Sequence, residues 1–195
     1  GTNGTPVNLP DAVKFLTQAA EKGQAVAQYR LGTMYERGQG VPADGARAAQ
    51  WYERSANQGN RKAMHNLAVA HASGAAGKKN MAEAARWFAR AAGLGLSDSQ
   101  FNLAVLYERG DGVPQSLLDA FKWYSIAAAA GAAAGAACTA ALRVATAVNN
   151  GSISVGANVA TAKALMLNAV GLARSNASLA TDAAVAAVGS AVSAV

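Results

Sequence analysis

The chain has 195 residues, 52% of them apolar and 14% charged, with a net charge of +6 and a single cysteine. One cysteine excludes an intramolecular disulfide framework and leaves the cytoplasm and the periplasm both open. The basic residues are interleaved with acids, as in Glu36-Arg37, Glu53-Arg54 and Glu108-Arg109, which is the pattern of solvated helix faces and not of a nucleic-acid-binding run.

No stretch reads as a membrane span: the uncharged run 127–141 is Ala and Gly, weakly hydrophobic and short. The sequence starts at Gly1 and shows no signal peptide, so a piece of a longer protein or a processed product is expected.

One period organises the chain. Gly23, Gly59, Gly95 and Gly131 stand 36 residues apart, and Trp51, Trp87 and Trp123 keep the same spacing. A period kept without insertion or deletion marks a repeat array. It divides the sequence into a half unit at 8–23 and complete units at 24–59, 60–95 and 96–131.

The half unit carries one helical pattern, Ala12, Phe15, Leu16 and Ala20. Each complete unit carries two. The first, A, places Ala27, Leu31, Gly32, Met34 and Tyr35 on one helical face. Ala63, Leu67, Ala68, Ala70 and His71 follow, then Ser99, Leu103, Ala104, Leu106 and Tyr107. The small residue at 32, 68 and 104 implies close helix approach. The second pattern, B, places Ala48, Trp51, Tyr52 and Ala56 on one face, repeated as Ala84, Trp87, Phe88, Ala92 and as Ala120, Trp123, Tyr124, Ala128. An aromatic ring buries ~150–250 Å², so the tryptophans are expected to be the main apolar contribution and to join neighbouring units.

The helix ends are marked too. Asn8, Asp44, Asn80 and Ser116 open the B helices as N-caps. Asp11, Glu83 and Asp119 suit the positive first turn, and Glu83 is placed to close a capping box. Gly38-Gln39-Gly40-Val41-Pro42 and Gly110-Asp111-Gly112-Val113-Pro114 end A and precede B. The second unit departs here with Gly74-Ala75-Ala76-Gly77-Lys78, and a mobile or differently packed loop is expected.

These residues resemble the Sel-one-like repeat (SLR) family, relatives of tetratricopeptide repeats: LG-x-M-Y, then G-x-G-V-P, then A-x-x-W-Y, then Gly, in phase over 8–131. The resemblance implies an all-α, right-handed α-solenoid of antiparallel helix pairs with helix A lining a concave face. More narrowly, AMHNLAVA at 63–70, DSQFNLAVLY at 98–107 and AFKWYSIAAAAG at 120–131 resemble the repeats of PodJ-type polar localization factors of alphaproteobacteria. That resemblance implies a periplasmic segment of a membrane-anchored cell-polarity scaffold acting near peptidoglycan, its anchor lying in parts outside this chain.

Beyond Gly131 the phase stops. The 132–195 tail is Ala-rich, without aromatics, Pro or Glu, and two readings stand. It is a helical extension, with helices near 128–147, 157–174 and 177–193 and a turn at Asn149-Asn150-Gly151-Ser152. Alternatively, its letters do not represent the natural chain.

Catalysis is not expected. His65 and His71 are about 240° apart on a helix and cannot chelate one metal. Cys138 has no positioned base. The G-x-G turns lie between two helices, the wrong setting for a dinucleotide site. No metal or cofactor is expected.

Given the concave placement the resemblance implies, the A residues outside the core pattern form the candidate binding face. They are Val26, Tyr29, Arg30, Thr33 and Arg37; then Lys62, His65, Asn66 and Val69; then Phe101, Asn102, Val105 and Arg109. Tyr29, His65 and Phe101 form a ladder of flat rings, Asn66 and Asn102 are equivalent amides, and Arg30, Arg37, Lys62 and Arg109 add positive charge. A protein ligand with exposed backbone or acidic groups fits them. The expected function is therefore a non-catalytic protein–protein scaffold in the periplasm, with the cytoplasm as the alternative compartment. The rival readings are a cell-wall module that binds glycan directly and a secreted SLR hydrolase of β-lactamase type. The single cysteine argues against the last, because those relatives carry a disulfide in each repeat.

Overall fold

The structure, a computed structural model, describes residues 8–130. Gly131, Cys138 and the tail at 132–195 lie outside the described residues. Those described fold into seven helices of 13 residues each: α1 (Leu9–Glu21), α2 (Ala25–Arg37), α3 (Gly45–Asn57), α4 (Arg61–Ser73), α5 (Met81–Gly93), α6 (Ser97–Arg109) and α7 (Leu117–Ala129). Every helix recurs 36 residues on, so the period of the sequence is the period of the fold. The architecture is an all-α repeat solenoid.

The chain divides into two compact units, 1–94 and 95–195, at the border between the second and third repeats. In the first, α1 packs on α2, α2 on α3, α3 on α4 and α4 on α5. In the second, α6 packs on α7.

Local chemistry sets the ends of the B helices α1, α3, α5 and α7. The side chains of Asn8, Asp44, Asn80 and Ser116 accept from the backbone N–H of Asp11, Arg47, Glu83 and Asp119, each cap contributing about 1 kcal/mol. Glu83 does not close a capping box. Its carboxylate pairs instead with Arg86 at 2.7 Å, one turn away on the exposed face. At the other end, Gly59 follows α3 with φ of 90°, a left-handed conformation that costs glycine little.

The A-to-B turn is held by one bond of constant length. The N–H of Asp44, Asn80 and Ser116 donates to the carbonyl of Tyr35, His71 and Tyr107, each at 2.9 Å. The divergent second turn keeps this clasp, so its departure is in packing. In the first turn, a Cβ at Gly40 would stand 2.7 Å from the Leu9 carbonyl. In the second turn a Cβ on Gly45 would meet the carbonyl oxygen of Ala75 at 3.0 Å. Gly45 holds the register of Leu9, so in the second turn the close approach is made to a helix residue without a side chain.

The core corrects one expectation. The aromatics buried in every repeat are not the tryptophans but their C-terminal neighbours: Tyr52 is 0%, Phe88 3% and Tyr124 1% exposed. Trp87 is buried as well, whereas Trp51 and Trp123 are half-buried. Residue 52 points at its own A helix. Trp51, 100° away around α3, packs against the buried cluster of Ala20, Ala27 and Leu31, which draws on α1 and α2 together. Its outer side is covered by Arg54, whose guanidinium stands 4.6 Å from the ring centroid. Arg90 stands at the same distance over Trp87. Such contacts contribute ~0.5–1 kcal/mol at exposed sites. Phe15, expected in the core, is 67% exposed.

Gly32 allows the tightest approach. A Cβ there would stand 2.7 Å from two ring carbons of Tyr52 and 3.2 Å from the Ala48 carbonyl oxygen. Gly32→Ala is expected to destabilise by ~1–3 kcal/mol through overpacking, and Trp87→Ala by ~3–5 kcal/mol through loss of a buried ring. Both are read from thermal melts, and an unchanged midpoint for either contradicts its placement.

Candidate functional site

The A helices bury one stripe and show the opposite one. Along α2, Ala27, Leu31 and Met34 are buried, while Val26, Arg30 and Arg37 are exposed. Along α4, Ala63, Leu67 and Ala70 are buried, while Lys62 and Val69 are exposed. Spacings of three and four residues collect 26, 30, 33 and 37 on one side of α2. Of the expected face residues of the first unit, Val26, Arg30, Arg37, Lys62 and Val69 are therefore exposed and Tyr29, Thr33, His65 and Asn66 half-buried, on two helices both packed against α3. In the second unit, Arg109 of α6 is exposed and Phe101, Asn102 and Val105 are half-buried.

Each of the three rings Tyr29, His65 and Phe101 rests on the buried aromatic of its own B helix. Tyr29 and Tyr52 have centroids 5.9 Å apart, His65 and Phe88 5.5 Å, and Phe101 and Tyr124 5.4 Å. All three pairs are tilted or edge-on, the geometry favoured by ring quadrupoles. The face rings are thus fixed from behind and present one side outward.

Sequence reasoning missed the acids of this face. The Tyr52 hydroxyl donates to Glu36 Oε2 at 2.8 Å, and the Tyr124 hydroxyl to Glu108 Oε2 at 2.7 Å. The signal was present in the repeats. Residues 36 and 52 are Glu and Tyr, 72 and 88 are Ala and Phe, and 108 and 124 are Glu and Tyr. Where the ring has no hydroxyl, the carboxylate is gone too. A second pair is found in the first repeat alone: Gln58 Nε2 donates to Gln28 Oε1 at 2.7 Å, whereas the equivalent residues are Met64 and Leu94, then Gln100 and Ala130.

Burial raises the Tyr52 phenol from its ordinary 10.0 to about 12, and the neighbouring Glu36 carboxylate adds to the rise. Hydrogen bonds with the side chains of Thr33 and Asn66 pull the other way. Two expected face residues therefore help hold the buried phenol. Asn66 does so from the next repeat, which ties the face of one unit to the core of another.

His65 and His71 lie on different sides of α4, and among the described residues no three His, Cys, Asp or Glu side chains converge as a metal site would need. No helix of the described residues is long and apolar enough to cross a membrane.

The Sel1 repeat family model matches four consecutive stretches of the chain, 1–24, 25–60, 61–96 and 97–131. Among solved structures, a Sel1 repeat protein from Oxalobacter formigenes is 26% identical, with a TM-score of 0.60, over 85% of this chain and 64% of its own. A protective antigen of uropathogenic Escherichia coli with an SLR fold is 25% identical, with a TM-score of 0.58, over 82% of this chain and 40% of its own. The chain thus spans less than two thirds of either neighbour. Cysteine-rich protein B of Helicobacter pylori shares the fold at 19% identity and a TM-score of 0.54, over 71% of this chain and 98% of its own. No curated protein matches the sequence.

The raised Tyr52 pKa has a definite sign. Between about pH 10 and 12 the unfolded chain releases the Tyr52 proton and the folded chain retains it, so stability conferred below pH 10 is lost as pH rises to about 12. Tyr52→Phe is expected to shift the alkaline unfolding midpoint upward relative to the parent, measured at matched starting stability by circular dichroism. An identical alkaline limb in both proteins contradicts this.

Proposed function

The chain belongs to the Sel1 repeat family, and on that premise we propose that the exposed A-helix face of its first unit binds an extended protein segment bearing acidic and apolar side chains. Sel1 repeat proteins generally mediate protein–protein interaction and are generally non-catalytic, although some members are enzymes. The supporting observation is the make-up of the exposed stripes. Val26 at 61% and Val69 at 39% exposure stand among Arg30, Arg37 and Lys62, over rings fixed by Tyr52 and Phe88. The acid on that face, Glu36, accepts from Tyr52.

The charge is also local. Residues 8–94 carry twelve Lys and Arg against six Asp and Glu, and residues 95–130 carry two against four. An acidic ligand is therefore drawn to the first unit, chiefly through its rate of association.

The exposed residues give a cleaner test than the half-buried ones. Arg30→Glu, Lys62→Glu and Val69→Asp together are expected to lower partner recovery at least about tenfold, the loss of roughly 1.4 kcal/mol or more of binding. Recovery is read by crosslinking in native cells and mass spectrometry. The melting midpoint should stay within a few degrees, because all three side chains face water. Full recovery of the same partners by the folded variant overturns the proposal.

We also propose that this scaffold works in the periplasm, as the repeat segment of a polar localization factor. Its support is the likeness of segments 63–70, 98–107 and 120–131 to such factors. Protease added to intact spheroplasts is expected to digest the native protein, and a fluorescent fusion to collect at a pole. Protection until lysis assigns the protein to the cytoplasm instead. Retention of the purified protein on peptidoglycan sacculi, without a protein partner, supports direct cell-wall binding.

A further inference from the structure

The hydroxyl of Tyr52 is not needed for the packing of its ring. Phe88 holds the same phase in the next repeat and is 3% exposed without one. Tyr52 is 0% exposed, and a buried hydroxyl costs free energy unless its hydrogen bonds are made. Those bonds all lead to the exposed side of the A helices. The hydroxyl donates to Glu36 Oε2 at 2.8 Å, and the side chains of Thr33 and Asn66 bond to it as well. Thr33 and Asn66 hold the phenol pKa down, which a bond to its oxygen does and a bond to its proton does not. Thr33 and Asn66 are half-buried and Glu36 is exposed. One buried oxygen is therefore tied to three side chains at the surface of α2 and α4.

These ties leave open the chemistry that a peptide main chain requires. Asn66 gives one N–H to the phenol and retains a second N–H and a carbonyl oxygen. Glu36 accepts the phenol proton at Oε2 and retains acceptor capacity at Oε1. A peptide unit presents one donor and one acceptor, and side chains already held in place lose less freedom on binding it.

We propose that Tyr52 is a positioning residue of the binding face: its hydroxyl, beyond the reach of a ligand, sets Asn66 and Glu36 to hydrogen-bond the main chain of the bound segment. This role rests on that face being the binding site. Arg30, Lys62 and Val69 then select side chains, while the pair held by Tyr52 engages the extended backbone whatever its sequence.

The probe is a fluorescein-labelled peptide of repeating Glu-Ser-Leu-Gly, compared by anisotropy with the same peptide N-methylated at its Ser and Gly residues. The parent is expected to prefer the plain peptide. Tyr52→Phe is expected to weaken the plain peptide at least about fivefold, the scale of one ordinary hydrogen bond, and to leave the N-methylated peptide as it was. Asn66→Ala, a change at a half-buried position, should give the same loss, and the two changes together little more. Arg30→Glu with Lys62→Glu should weaken both peptides and flatten their salt dependence. An unchanged preference in folded Tyr52→Phe overturns the positioning role and leaves the face standing. A parent that binds neither peptide, or a doubly charge-reversed variant that binds both as tightly as the parent, removes the face and this role with it.

Discussion

The arrangement depends on one contact, seen directly at Gly32 and Tyr52, whose residue types recur in each repeat: an aromatic ring of helix B and a small, buried residue of helix A. The ring sits at 52, 88 and 124, and the small residue at 32, 68 and 104. Ala68 and Ala104 are both 0% exposed, and glycine at 32 leaves no room for even a methyl group beside Tyr52. The core is otherwise made largely of alanine, whose side chain buries little area. One large ring for each helix pair therefore carries a disproportionate share of the apolar burial.

That contact also sets which side of helix A is exposed. Once helix A is turned so that 31, 34 and 27 face inward, 26, 30 and 37 face water and 33 lies at the half-buried edge beside Tyr52. The ring beneath fixes Tyr29, His65 or Phe101 from behind, and its hydroxyl, where present, holds a carboxylate at 36 or 108. Core and face share residues: Asn66 belongs to the exposed side of α4 and yet hydrogen-bonds to Tyr52 of α3. Changes on such half-buried positions alter stability and recognition together, whereas Val26, Arg30 and Lys62 separate the two.

The excess of positive charge has a structural use apart from ligand attraction. Arg54, Arg86 and Arg90 lie over Trp51 and Trp87, and Lys122 over Trp123. Their stems cover indole surface that the alanine-rich helices cannot, while the charged ends stay in water. The basic balance therefore coexists with a surface that has no dense cationic run.

Helix ends, turns and phase were legible in the sequence because they follow from local chemistry. A cap oxygen reaches an N–H three residues away, a glycine takes φ > 0, and proline cannot continue a helix, whatever lies beyond. The exposure of Val26, Arg30, Arg37, Lys62, Val69 and Arg109 was legible for the same reason, as the complement of a 3.6-residue stripe. Tertiary structure decided what depends on a neighbour. Trp51 and Tyr52 are adjacent apolar rings in sequence, and only the position of α2 makes the second the core residue and the first a half-covered bridge. Glu36 reads as one more solvated acid until the Tyr52 hydroxyl is set beside it, 16 residues away in sequence. Phe15 matches its repeats in pattern yet lies open, because burial belongs to a pair of helices and not to one.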